Sequence, residues 1–149
     1  MKLSTKGKYG LRAIIDLAKY SQEEPVSISN ISNREGISEG YLEQIVSLLK
    51  KAGLVLSIRG ASGGYELAKK PEEISVGEVL RALEGDLNAV NCTADDDNGC
   101  SAADRCISKM VWKRINDSIN QAVDTMYLSD LLESDTNCDC YIRSEERAC

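Results

Sequence analysis

The sequence predicts a mainly α fold with a small β wing, a winged helix-turn-helix followed by a long dimerisation helix. Three observations predict it. Two helical periodicities flank one tight glycine-containing turn within about residues 28–52. An alternating strand, a glycine cluster and a return strand follow within about residues 54–68. Apolar residues then recur at helical spacing from Cys106 to Met126, longer than a small domain needs for its own core.

The first helix is capped by Ser4 or Thr5 and runs to about Tyr20, with Tyr9, Ala13, Ile14, Leu17 and Ala18 as its buried stripe and Pro25 beyond its end. A short second helix spans about Ile28 to Glu35, and Gly36 is placed to take a left-handed conformation past its end. Ser38 is positioned to cap a third helix, with Glu39 in the first turn and Tyr41, Leu42, Ile45, Val46, Leu48, Leu49 and Ala52 on its inner side; Gly53 stops it. Leu54 to Arg59 alternates as a strand, Gly60 to Gly64 turns, and Tyr65 to Ala68 returns. Ser75 and Glu78 form a capping box for a fourth helix closed by Gly85. On the long fifth helix, Ile107, Met110, Val111, Ile115, Ile119, Ala122, Val123 and Met126 suit a dimer seam, the alternative being packing on the same subunit. A short amphipathic turn around Ser129 to Glu133 precedes a polar tail. The division expected is a DNA-binding domain over 1–85, a cysteine loop over 86–106, a dimerisation helix and short helix over 107–133, and a tail over 134–149.

The net charge of −6 argues against a nucleic-acid partner only until its distribution is resolved. Residues 1–70 hold 11 Lys/Arg against 7 Asp/Glu, and residues 71–149 hold 7 against 17, so the halves carry +4 and −10. Lys2, Lys6, Lys8 and Arg12 open the chain without an acid among them, the local surface that a phosphate backbone attracts. No charged segment with an apolar core opens the sequence, and its apolar stretches are interrupted by charges such as Arg12 and Asp16. A soluble, cytoplasmic protein with no membrane partner is expected.

Six cysteines and no histidine, in a chain without signs of export, favour metal binding or redox sensing over a disulfide framework. Cys92, Cys100 and Cys106 follow a C-x7-C-x5-C pattern among small, polar and acidic residues. Three thiolates on one loop can converge on zinc or an iron-sulfur centre, since soft sulfur ligands suit both. Redox-active or inert thiols remain the alternatives at this point. Without a C-x2-C pair the pattern matches neither a zinc ribbon nor a ferredoxin.

The segments Leu3 to Gly10, Ile37 to Gln44, Gly53 to Val55, Ile58 to Gly60, Gly63 to Tyr65 and Val76 to Val79, continuing through the cysteine loop to Leu131, resemble the IscR-type family of winged-helix regulators. That family includes regulators of iron-sulfur cluster biogenesis, nitric oxide sensors and regulators of cysteine metabolism. The resemblance implies a homodimer that binds double-stranded promoter DNA and carries a 2Fe-2S cluster on three cysteines, matched here by Cys92, Cys100 and Cys106. Two departures matter. The first cysteine interval is longer than in the best-known members, and the histidine that supplies their fourth ligand is matched by Lys109. An ammonium group cannot ligate while protonated, so the fourth ligand is open between Cys138 or Cys140, a carboxylate such as Asp96 or Asp104, and a partner-subunit residue, with a tail cysteine preferred.

In a winged helix the N-terminal part of the recognition helix enters the major groove, which makes Ser38, Glu39, Tyr41, Glu43 and Gln44 the candidate DNA contacts. Gln44 suits a bidentate contact to adenine, and Glu43 can accept from cytosine N4. The resemblance places reader roles on Glu43, Gln44 and Arg59, with Gly40 standing where a serine makes a base contact in the best-known member. Arg59 is the candidate for a narrow minor groove, while Lys6, Lys8, Lys50 and Lys51 are candidates for phosphate. The function expected is sequence-specific transcription regulation sensing iron-sulfur status. The alternatives are a nitric oxide or thiol-redox regulator of the same family, or an iron-sulfur carrier. An enzyme is not expected: the chain has no histidine, no nucleophile-base constellation and no nucleotide loop, because no Gly-Lys-Ser/Thr follows the wing glycines.

Overall fold

In the computed structural model, residues 3–90 and 105–137 are described, the side chains of the last two excepted. The elements run α1 (Thr5–Tyr20), α2 (Ile28–Glu35), α3 (Glu39–Lys51), β1 (Val55–Ile58), β2 (Gly64–Leu67), a single 3-10 turn (Pro71–Glu73), α4 (Val76–Glu84), α5 (Lys109–Asp124) and α6 (Leu128–Asn137). Among the described residues, helices with one two-stranded antiparallel sheet match the expected fold class.

Each boundary has a local cause. The Ser4 hydroxyl accepts from the Gly7 amide at the start of α1, and Ser27 accepts from Asn30 at the start of α2, each satisfying an amide with no partner inside its helix. Gly36 ends α2 with φ 66°, a left-handed conformation that costs a residue without a Cβ little, and so redirects the chain into α3 within three residues. Ser38 sits at the cap position of α3 but makes no side-chain cap bond, so its hydroxyl does not serve the helix as expected. The capping box at α4 is complete: Glu78 N–H donates to Ser75 Oγ at 3.1 Å and Ser75 N–H to the Glu78 carboxylate at 3.0 Å.

The wing pairs Val55 with Leu67 through Ile58 with Gly64. A reciprocal pair of backbone bonds between Val26 and Tyr65, both 2.8 Å, ties it to the segment joining α1 and α2. Ile14, Leu17, Ile31, Leu42, Ile45, Leu49, Val55, Ile74, Val79 and Leu83 form one core, so the three N-terminal helices, the wing and α4 bury a common apolar interior.

The C-terminal part differs from expectation. α6 is a ten-residue helix, longer than the short helix expected around Ser129 to Glu133, and its first residue, Leu128, is fully buried in the same core. Backbone bonds from Val76 N–H to Met126 and from Leu128 N–H to Ile74 lock this return. The sequence pattern alone does not supply that anchor, because it depends on residues about fifty positions away. α5 meets the body through Ile119 and Val123, which pack on Val76, Leu80 and Leu87. Arg81 clasps it further, donating to both Asp124 carboxylate oxygens at 2.6 and 3.0 Å and to Asn120 at 2.6 Å. Gly77 lies at this crossing, where a Cβ would strike the Asp124 carboxylate. The apolar stripe of α5 therefore divides, its C-terminal half serving its own subunit.

Candidate nucleic-acid interface and sulfur site

Amphipathicity decides what α3 shows to solvent. Leu42, Ile45, Val46 and Leu49 are buried, which turns Ser38, Glu39, Glu43 and Gln44 outward. Among the described residues Glu43, Gln44 and Arg59 make no side-chain hydrogen bond or ion pair, so their polar atoms are available to a ligand. Tyr41 differs from its neighbours: it is half-buried, its ring edge-on to Tyr9 with centroids 6.0 Å apart and planes at 87°. Arg59 is exposed at the wing, directly after β1. Lys50 donates to Ser57 Oγ at 2.9 Å, so this lysine joins α3 to the wing as well as standing at the surface.

Lys6 is half-buried and Lys8 exposed near the start of α1. Arg12 is not a free cation. Its guanidinium bonds the Glu35 carboxylate at 2.9 Å and the Glu35 carbonyl at 2.8 Å, and lies 5.6 Å from the Tyr9 ring centroid. The amide of Ser4 and that of Gly7 donate to Glu84 Oε1 at 3.0 and 2.9 Å, and the Ser4 hydroxyl also bonds it. The Ser4 hydroxyl, those two amides and the nearby Lys6 charge hold the Glu84 carboxyl below the usual carboxylate range. Sequence reasoning missed Glu84, although a signal existed. An acid in the last turn of a helix opposes the local dipole, which suggests service to another element.

Of the five candidate cysteine ligands, only Cys106 lies among the described residues; Cys92, Cys100, Cys138 and Cys140, with Asp96 and Asp104, lie outside them. Cys106 is exposed just before α5, its Sγ 3.0 Å from Ser108 Oγ. That hydroxyl contact, followed by the amides of Ser108 and Lys109 and the Lys109 charge, lowers the thiol pKa. A thiol poised towards thiolate suits a soft metal or an iron-sulfur centre, so its chemistry fits the cofactor expected. The described residues contain no group of three acidic, cysteine or histidine side chains able to hold a metal. The near flank of the cysteine loop is fixed to α5, with Ala89 N–H donating to Asn116 Oδ1 at 2.7 Å in a buried position. Ile107, just before α5, and Met110, Val111 and Ile115 on its first half face solvent, 91, 80, 56 and 36% exposed. No helix among the described residues is long and apolar enough to cross a membrane.

Residues 3–134 match the Rrf2 family, described as an iron-dependent transcriptional regulator. The chain is 42% identical over 132 residues to the HTH-type transcriptional regulator IscR of Aliivibrio salmonicida, covering 89% of this chain and 77% of that protein. With the IscR of Pectobacterium carotovorum it shares 41% over 134 residues, 90% of this chain and 80% of the relative. Two solved structures align with a TM-score of 0.75 and 42% identity. CymR, the global cysteine regulator of B. subtilis, covers 90% of this chain and 98% of its own; T. potens IscR covers 93% and 91%. These relatives are transcription regulators rather than enzymes.

Proposed function

This chain belongs to the Rrf2 family of iron-dependent transcriptional regulators, and from that premise we propose that it reads promoter DNA as a homodimer and senses iron-sulfur status through Cys92, Cys100 and Cys106. The observation that carries the DNA reading is the outward, unpartnered polar edge of α3 beside the wing. Gln44 and Glu43 address base edges in the major groove, Arg59 enters the adjacent minor groove, and Ser38, Glu39, Tyr41, Lys6 and Lys8 complete the contact surface. Lys50 fixes the wing to α3, so groove-reading helix and wing dock as one unit.

The sulfur reading rests on the donor set. Two equally similar structures belong to differently named regulators, the cysteine regulator CymR and an IscR, so fold alone does not select the signal. The cysteines do. A bound 2Fe-2S cluster supplies reversible electron transfer and sensitivity to iron supply and oxidants. Cys106 contributes a thiolate stabilised by Ser108 and the start of α5, and Asn116 holds the loop's other flank on the same helix. Lys109 stands at the position of the family's fourth ligand as a donor cation, which leaves that ligand to Cys138, Cys140 or another oxygen or sulfur group. A second copy covers Ile107, Met110, Val111 and Ile115, an exposed apolar run that a soluble monomer rarely keeps. Loop and dimer helix are contiguous, so occupancy favours whichever arrangement of the two DNA-reading units the cluster fits better.

A gel shift on duplex DNA from the upstream region of its own gene tests the regulator reading against a carrier protein. The expected result is binding that weakens steeply with salt and is competed by the same sequence but poorly by a scrambled one. Equal competition by both duplexes would favour the carrier.

A further inference from the structure

Two ion pairs of opposite sense join α1 to the last turn of α2, directly before the turn into α3. Arg12 and Asp16 lie four residues apart on one face of α1. Asp16, its side chain 1% exposed, accepts a bidentate contact from Arg34, with both bonds at 2.7 Å. Arg12 grips Glu35 through its carboxylate and its main-chain carbonyl. The charges are crossed, positive then negative on α1 against negative and positive on α2. Sliding or rotating α2 would bring Arg12 towards Arg34 and Asp16 towards Glu35, so only one register is favourable, the use for which buried ionic groups are best attested. Aromatic rings brace both pairs. The Arg34 guanidinium lies 4.1 Å from the Tyr20 ring centroid, while Arg12 lies over Tyr9, whose ring meets Tyr41 in the first turn of α3. Side chains of α1 thus hold both sides of the Gly36 turn, Glu35 before it and Tyr41 after it.

We propose that Arg12, Asp16, Arg34 and Glu35 are positioning residues that set the angle at which α3 presents Glu43 and Gln44, and thereby fix sequence discrimination without touching DNA. This rests on the reading of α3 as the recognition helix. Discrimination between base pairs depends on side-chain placement within fractions of an ångström, whereas non-specific binding depends mainly on the number of phosphates neutralised. Loss of the clamp therefore lowers affinity for the preferred sequence and leaves affinity for other sequences nearly unchanged.

The test uses full-length protein, a duplex selected from a random library by the wild type, and a scrambled duplex of equal composition, each titrated across a salt series. Arg12→Gln and Glu35→Gln are the principal variants, because Arg12 and Glu35 are partly exposed, whereas neutralising Asp16 would strand a guanidinium against a buried site. Both should lose about tenfold or more on the selected duplex, the scale of one lost base contact, with an unchanged salt slope. The two variants change net charge in opposite directions, so a purely Coulombic effect would move their scrambled-duplex affinities apart without a shared loss of discrimination. Combining Arg12→Glu with Glu35→Arg should recover part of the lost discrimination. Parallel weakening of Arg12→Gln on both duplexes, with the slope reduced by about 0.9, would make Arg12 a phosphate contact and overturn the proposal. So would a lowered thermal midpoint with discrimination intact. Failure of the wild type to select any sequence removes the recognition-helix reading, and the clamp proposal with it.

Discussion

Glu84 shows at the scale of one residue how an apparent local error serves a distant element. Its charge opposes the C-terminal end of α4, yet it accepts the Ser4 and Gly7 amides at the start of α1, joining the segment that carries Lys6 and Lys8 to the helix that leads into the cysteine loop. Its folded pKa is lowered, so its stabilisation is present above the ordinary carboxylate pKa of about 4.3 and fades as pH falls through the folded value. Glu84→Gln should accordingly lower the thermal midpoint at neutral pH, and the gap from wild type should close below about pH 4. A gap that persists unchanged into acid would assign the effect to shape rather than charge. Asp16 was open to a similar reading, as an acid inside the stripe formed by Ala13, Ile14, Leu17 and Ala18. Its partner, eighteen residues away, was not. Arg12 was expected among the phosphate-attracting cations, but local composition could not reveal its engagement with Glu35.

Helix and strand boundaries were legible wherever their cause is local. Gly36, the Ser75–Glu78 box and the alternation before the wing glycines each act within a few residues, and α2, α4 and the hairpin form where those signals stand. α6 was understated because Leu128 gains its burial from Ile74 and the 3-10 turn region, contacts that a local pattern does not encode. α5 shows both influences. Its periodicity announced a helix, but Ile119 and Val123 turn to their own subunit through Gly77 and Arg81, while the stripe from Ile107 to Ile115 faces solvent. Ile115→Glu should leave the monomer folded and weaken dimerisation at least about tenfold, because an unpaired carboxylate would be buried in the seam. Sedimentation velocity across a concentration series checks this. A dimer as stable as the wild type's would place the interface elsewhere.

Across the whole molecule the charge separates along the chain, with +4 on residues 1–70, which hold α3 and the wing, and −10 on residues 71–149. Such polarity orients the protein towards a polyanion even though the total is acidic. The fold was readable because several local signals agreed in order along the chain, and the outward edge of α3 followed from its period. The cysteine loop was less accessible: thiol spacing left zinc, iron-sulfur and redox chemistry open, and Lys109 removed the one ligand that the family pattern would have supplied. The most direct test compares promoter footprints of the wild type and Cys92→Ala, both purified without oxygen, with the visible absorption of each. The account predicts an absorption band in the wild type that Cys92→Ala reduces or loses, together with a different set or strength of protected sites. Identical footprints with no band in either protein would contradict sensing through these cysteines.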